Sequence, residues 1–318
     1  MNRILIIQTA FLGDVILATP VVSELHRVFP NASIDVLVKK GNESLLANNP
    51  KIRKVIVFDK SRGKYKSIFR LIRQFRREKY DLVVNLHRFA SSGLMAGFSG
   101  AKQRIGFDKN PFAWRYTKKH PHKIGNGTHE VERNLSLIME FGASNLVRPE
   151  LFPSEEDFAT IASYQSEKYI CIAPASVWFT KALPESKWLE LIEKNQNVKI
   201  FVLGGPPDVD LAERILNQTS HSAAENLCGK LSLLQSAALM QGAVRNYVND
   251  SGPLHIASSM NANVTAFFCS TVPEFGFGPL SEDSEINQVE GLDCRPCGLH
   301  GHKECPKGHF KCGNEMVI

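Results

Sequence analysis

The chain's 318 residues are enough for two domains of ordinary size, and 43% hydrophobic against 22% charged residues is the balance of a globular protein, which excludes a disordered or fibrous chain. No apolar run approaches the roughly 18 to 20 residues that span a bilayer, and the opening apolar stretch is interrupted by Gln8 and Asp14 with no small-residue cleavage site behind it, so a cytoplasmic location is expected. The net charge of +6 is unevenly held: residues 1–150 carry 26 Lys and Arg against 12 Asp and Glu, and residues 151–318 only 12 against 20, so the first half is built to meet an anion.

In chain order, RILIIQTAFLGDVILATPVVSELHRVFP reads as a buried strand, a tight turn and a helix with Asp14 in its first turn. That places a carboxylate just beyond a strand's carboxyl end, the edge where open α/β sheets bind ligands; the alternative is a carboxylate that only caps the helix. The turn lacks G-x-G-x-x-G, so it is a poor dinucleotide site. Strand-like runs follow at LIIQ, SIDVLV, KVIVF and DLVVNL, separated by helix-like segments in the rhythm of a parallel sheet. Two segments concentrate the positive charge. In the first, residues 60–79, Ile68, Leu71, Ile72 and Phe75 form an apolar stripe that leaves Arg70, Arg73, Arg76 and Arg77 on other faces, either as an ordinary solvated surface or turned to an anionic partner. The second runs from Lys102 to Lys123. An anionic membrane surface, nucleic acid and a phosphorylated acceptor are the candidate partners.

After a polar stretch around 143–168 a second series begins: YICIAPA, a helix near 184–195, VKIFVLGG, a helix near 208–217, LSLLQSAALM, AVRNYV, a helix from about 252, and NVTAFF. The expected fold is α/β, two Rossmann-like domains over residues 1–155 and 156–318, joined by a linker near 150–166, with parallel sheets facing across a cleft. Three loops of the second half each follow a strand. APASVWFTK ends in Thr180 and Lys181; LGGPPD carries the Gly204-Gly205 turn; NDSGPLHIA leads from Asp250, Ser251 and Gly252 into a helix with His255 one turn on. Backbone amides at a free helix start, with Lys181 and Ser251 beside them, make a phosphate-binding edge. Asp208-x-Asp210 opens a helix after the glycines, which suits dipole complementation or a ribose hydroxyl better than a metal. Cys171, Cys228 and Cys269 lie in or beside apolar runs and are expected as core thiols. In the tail, Cys294, Cys297, Cys305 and Cys312 could build a tetrahedral structural zinc site or pack as free thiols.

FLGDVILATP, APASVWFTKALPESKW, LGGPPD, NDSGPLHIASSM and the tail CRPCGLHGHKECPKGHFKC resemble the ADP-heptose:lipopolysaccharide heptosyltransferases, the tail most like the type II members, and DLVVNLHR, SGAKQRIGF and HEVERNL extend the similarity over nearly the whole chain. The resemblance implies a GT-B fold with an N-terminal acceptor domain and a C-terminal ADP-sugar domain, and inverting transfer that requires no metal cofactor. It implies Asp14 as general base, Lys181 near the donor diphosphate, Asp250, Ser251, Gly252 and His255 in a donor-binding segment, and hydroxyl contacts from Ser176 and Thr180. Val177, Phe179 and Ala182 depart from the polar or basic residues common in that loop. The positive first half then suits a phosphorylated, Kdo-bearing lipid A core, heptosylated or not, at the cytoplasmic face of the inner membrane, with His87, Arg88, Lys102 and Arg104 on the acceptor side and no nucleic acid as partner. His87 has the alternative of a histidine satisfied below the edge. A related transferase using another nucleotide sugar, and a non-catalytic basic module binding nucleic acid or membrane, are the competing functions.

Overall fold

The computed structural model describes residues 1–61 and 63–318; Arg62, part of the basic segment 60–79, lies outside the described residues. The chain divides into two compact units, residues 1–124 with 128–152, and residues 125–127 with 153–318. Each is built on a six-stranded, wholly parallel sheet.

The first unit runs β1 (Arg3–Ile7), α1 (Leu12–Ile16), α2 (Thr19–Val28), β2 (Ser33–Lys39), β3 (Lys54–Phe58), α3 (Lys64–Glu78), β4 (Leu82–Asn85), α4 (Ala90–Gly97), β5 (Gln103–Phe107), β6 (Lys118–His120) and α5 (Glu130–Ser136). Its strand order is β3-β2-β1-β4-β5-β6, with Ile4 opposite both Ile34 and Leu82. Central strands covered on both faces must be apolar throughout, which is why β1 and β4 read as unbroken runs; Ile4 to Ile7 and Leu82 to Val84 are fully buried. The i, i+3, i+4, i+7 stripe of α3 does what its spacing predicts: Ile68, Leu71, Ile72 and Phe75 pack into the core with Leu5, Ile7 and Val83, each large aliphatic side chain contributing about 1.5–3 kcal/mol. The helix stops at Lys79, whose φ of 53° is left-handed.

One charge sits inside this sheet. Asp35 of β2 is fully buried and is held by the Arg53 guanidinium at 2.8 and 2.5 Å and by the Tyr80 hydroxyl at 2.5 Å. Asp35→Ala leaves a buried guanidinium and phenol without their acceptor. It is expected to destabilise the chain by about 3–5 kcal/mol, read as a lower midpoint in urea unfolding.

The second unit runs α6 (Glu155–Ile161), β7 (Tyr169–Ala173), α7 (Glu185–Lys194), β8 (Lys199–Val202), α8 (Val209–Leu216), β9 (Ala224–Asn226), α9 (Leu233–Gly242), β10 (Asn246–Asn249), α10 (Gly252–Ser259), β11 (Val264–Phe268), β12 (Ser284–Gln288) and α11 (Lys311–Asn314). Its order is β12-β11-β10-β7-β8-β9. The stretch expected as a linker near 150–166 is not one. Ser154 caps α6, accepting from the Asp157 amide at 3.2 Å while the Asp157 carboxylate takes the Ser154 amide at 2.8 Å, and α6 packs on α9. LSLLQSAALM is likewise helical, because Ser232 and Gln235 cap α9 by the same reciprocal pair of bonds.

Candidate active site

Both sheets reverse their strand order at one place, between β1 and β4 in the first unit and between β7 and β10 in the second. Chains leaving neighbouring strands in opposite directions open a crevice at the carboxyl edge, so the residues just after these four strands are where each unit can hold a ligand.

In the first unit, Asp14 follows β1 on the third residue of α1. Its Oδ2 accepts the Phe11 amide at 3.1 Å, so the carboxylate caps the helix and faces the edge at once. The turn is short because the helical run breaks after Ile16 and restarts at Thr19. Asp14 is half-buried, and loss of solvation raises its pKa above the ordinary carboxylate value, against the amides of Phe11 and Asp14 and the charges of Arg88 and Lys39. After β4, His87 accepts or donates a 2.9 Å hydrogen bond between Nδ1 and Thr9 Oγ1. Burial, with Lys60, Arg88 and Lys39 nearby, lowers its pKa to about 4. It is therefore a neutral, satisfied histidine at pH 7. Behind Asp14 lies a buried pair, Glu130 and Arg133 at 2.8 Å; burial raises Glu130 to about 7, with Asp14 adding to the rise against the pull of Arg133.

Lys102 and Arg104 are not brought to this edge. They were expected on the acceptor side, but they sit at the start of β5, the opposite end of the sheet. Lys102 pairs with Asp81 at 2.7 Å, and Arg104 donates to the carbonyls of Arg115 and Ala101. In their place the structure supplies Lys39, at the carboxyl end of β2 with its ammonium 4.6 Å from the Phe11 ring, and the Glu130–Arg133 pair. Lys39 was legible as the polar residue closing an apolar strand. Glu130 was not, because an acid at a helix start reads as a dipole partner.

In the second unit, Lys181 follows β7 and Asp250 follows β10. Lys181 Nζ meets Asp250 Oδ2 at 2.7 Å, and the Thr271 hydroxyl donates to the same oxygen at 2.6 Å. Asp250 is buried, so the pair holds the lysine stem beside the first residues of α10. Asn249 ties the two loops: its amide donates to the Pro174 carbonyl at 2.8 Å and its oxygen accepts from the Leu183 amide at 3.0 Å. Ser251 opens α10 in extended conformation, and Pro253 sits in its first turn, where a missing N–H costs nothing. His255 is buried one turn along. Ser176 is half-buried in the loop after β7. At the neighbouring strand β8, Gly204 is obligatory: a Cβ there would come within 2.9 Å of Cys228 Sγ and 2.8 Å of Asp208 Cβ. Asp208 accepts the Gly205 amide at 2.7 Å, the capping role expected over metal binding.

Thr180 departs from its expected role as a ligand hydroxyl. It is buried and spent on structure, its Oγ1 accepting from the His302 amide at 2.8 Å and the Ser270 hydroxyl at 3.0 Å. The tail thus straps the Lys181 loop. Gly301 makes the approach possible, with φ 77° and an added Cβ that would fall 2.9 Å from Lys181 Cγ and 3.1 Å from Trp178 Cβ. Gly301→Ala is expected to displace Lys181 and weaken nucleotide binding about tenfold or more, measured by calorimetry, with the unfolding midpoint little changed because the strap is at the surface.

The tail cysteines are reduced. Cys312 is buried in the apolar core with Phe310 and Met316, and burial lifts its thiol to about 11. Burial pushes Cys305 up, but the backbone amides of Phe310, Lys307, Gly308 and His309 together outweigh it and hold that thiol below its ordinary value. Among the described residues no three His, Cys, Asp or Glu side chains are arranged to hold a metal ion. Cys171, Cys228 and Cys269 are buried free thiols raised by desolvation.

A carboxylate at one switch point and a lysine-flanked helix start at the other are what the GT-B class of glycosyltransferases requires of its two units. The chain belongs to glycosyltransferase family 9 (heptosyltransferase), whose family model matches residues 68–309. Among its relatives, the lipopolysaccharide heptosyltransferase 3 of Escherichia coli is 28% identical over 282 residues, covering 82% of each chain. The lipopolysaccharide heptosyltransferase 1 of Pseudomonas aeruginosa is 25% identical over 317 residues, covering 93% of this chain and 86% of the relative. The solved E. coli ADP-heptose heptosyltransferase II shares the fold with a TM-score of 0.80 at 22% identity, covering 93% of this chain and 96% of that one. Relatives of types 1, 2 and 3 all match, so the type II likeness of the tail does not single out a subtype. Family membership makes the chain an enzyme and sets aside the non-catalytic alternative. Among the described residues no helix is long and apolar enough to cross a membrane.

Proposed function

We propose that the chain transfers heptose from ADP-heptose to the inner core of lipopolysaccharide with inversion at the anomeric carbon, the first unit taking the acceptor and the second the nucleotide sugar. The observation that supports this reading most is the Lys181–Asp250 pair beside the start of α10, a cation already oriented next to backbone amides at a sheet switch point. Asp14 takes the proton of the acceptor hydroxyl as its oxygen bonds to the anomeric carbon. The bond from that carbon to the diphosphate breaks, and the charge that develops on the diphosphate falls to Lys181 and the amides of Gly252 and its neighbours. Ser176, the Gly204-Gly205 turn, Ser251 and His255 complete the donor contacts, and Arg88 with His87 faces the acceptor. The acceptor is a membrane-borne anion, so the enzyme works at the cytoplasmic face of the inner membrane.

With the leaving group's charge met by Lys181 and backbone dipoles, transfer requires no metal cofactor. EDTA is expected to leave turnover unchanged, and metal analysis of protein purified without added zinc reports separately on the tail thiols. The deciding experiment offers purified protein a panel of ADP-, UDP- and GDP-sugars with cores truncated before each heptose, and follows nucleotide release. ADP release with ADP-heptose alone supports the reading and identifies the acceptor; equal release from another sugar nucleotide overturns it.

A further inference from the structure

We propose that the exposed face of α3 is a docking surface for an anionic lipid bilayer. The inference deepens the reading of a membrane-borne acceptor but stands on its own observations. Opposite the buried stripe of α3, successive turns present Tyr65 and Phe69, 67% and 65% exposed, alongside Lys66, Arg70, Arg73 and Arg77. Among the described residues these four cations form no ion pair. The only acid of the helix, Glu78, is drawn off to Arg3 at 2.9 Å and Arg53 at 3.1 Å. Lys54 from the start of β3 joins them, so that five cations and the Phe69 ring line a groove of about 820 Å³.

Like charges at i, i+3 and i+4 weaken a helix, so Arg70, Arg73 and Arg77 cost stability while nothing anionic covers them. Two large rings left in water on the same face cost more. One planar surface relieves both: phosphates and acidic headgroups for the cations, and the headgroup–acyl boundary for the rings. Tyr65 and Phe69 lie one turn apart along one flank, with Lys66, Arg70 and Arg77 along the other. That division suits a bilayer more than a nucleic-acid strand, whose bases and phosphates alternate along one track.

The experiment is cosedimentation of the full chain with phosphatidylglycerol–phosphatidylcholine vesicles and with pure phosphatidylcholine vesicles, without sugar nucleotide. The expected result is binding to the anionic vesicles alone, weakened by salt. With roughly fivefold per cation near the surface, the Arg70→Ala/Arg73→Ala/Arg77→Ala variant should bind about a hundredfold less tightly. Tyr65→Ala/Phe69→Ala should keep the low-salt binding and lose the part that survives high salt. Equal binding of the triple variant, equal binding to neutral vesicles, no vesicle binding, or capture of a single-stranded oligonucleotide in place of vesicles overturns the proposal. The triple variant should also transfer sugar to a deacylated, water-soluble acceptor at the wild-type rate; a loss there would assign the arginines to acceptor recognition instead. Vesicle binding is read without any transfer, so failure of the donor panel and failure of this proposal are separately visible.

Discussion

Asp14→Asn is expected to lower kcat by about 10²- to 10⁴-fold while leaving donor affinity nearly unchanged, because a general base acts only as the acceptor's proton leaves. Asparagine keeps an oxygen for the Phe11 amide, which Asp14 Oδ2 accepts at 3.1 Å, and removes only the basic site. Two further readouts separate this from a folding defect. Burial raises the Asp14 pKa, so the folded chain holds that proton more tightly than the unfolded one. Stability from this group therefore falls as pH rises from the ordinary carboxylate range through the folded value, and asparagine should unfold no earlier than wild type at neutral pH. In wild type, kcat/KM should fall as pH drops through the same raised value, earlier than an ordinary aspartate would allow. Wild-type turnover by Asp14→Asn would remove the base from the mechanism.

Lys181→Ala should weaken donor binding and turnover together, since a charged contact to a diphosphate is made in both the ground state and the transition state. A charge-assisted bond of about 1.5–3 kcal/mol corresponds to roughly ten- to 150-fold in donor affinity. The substitution also strands Asp250, which is 5% exposed and keeps only the Thr271 hydroxyl. Breaking such a pair costs on the order of 3 kcal/mol, toward the low end because the lysine side chain is 17% exposed. The double variant Lys181→Ala/Asp250→Asn distinguishes the two losses. It should recover the unfolding midpoint and leave nucleotide binding and turnover impaired. Recovery of binding in the double variant would mean that Lys181 serves the fold and not the donor.

What could be read from the residues followed from periodicity and turn chemistry. Unbroken apolar runs such as Ile4 to Ile7 can only be central strands covered on both faces, and the 68, 71, 72, 75 stripe can only be a helix lying on a sheet. Small residues after a strand gave Gly204, and a helix start gave Ser251 and Gly252. The misreadings came where local signals have two solutions. The polar stretch near 150–166 looked like a linker, yet Ser154 and Asp157 cap a helix within it. Thr180 looked like a ligand hydroxyl, and the tail 120 residues on uses it instead.

The sequence by itself therefore determined the α/β class, most of the elements, and which loops carry carboxylate, cation and free amides, since each depends on residues within a few positions of one another. Tertiary structure alone decided which of those loops are neighbours. Parallel strands are joined by crossovers whose destination is not encoded locally, so only the strand order shows that β10 lies beside β7 and brings Asp250 to Lys181, while Lys102 and Arg104 fall at the wrong end of their strand.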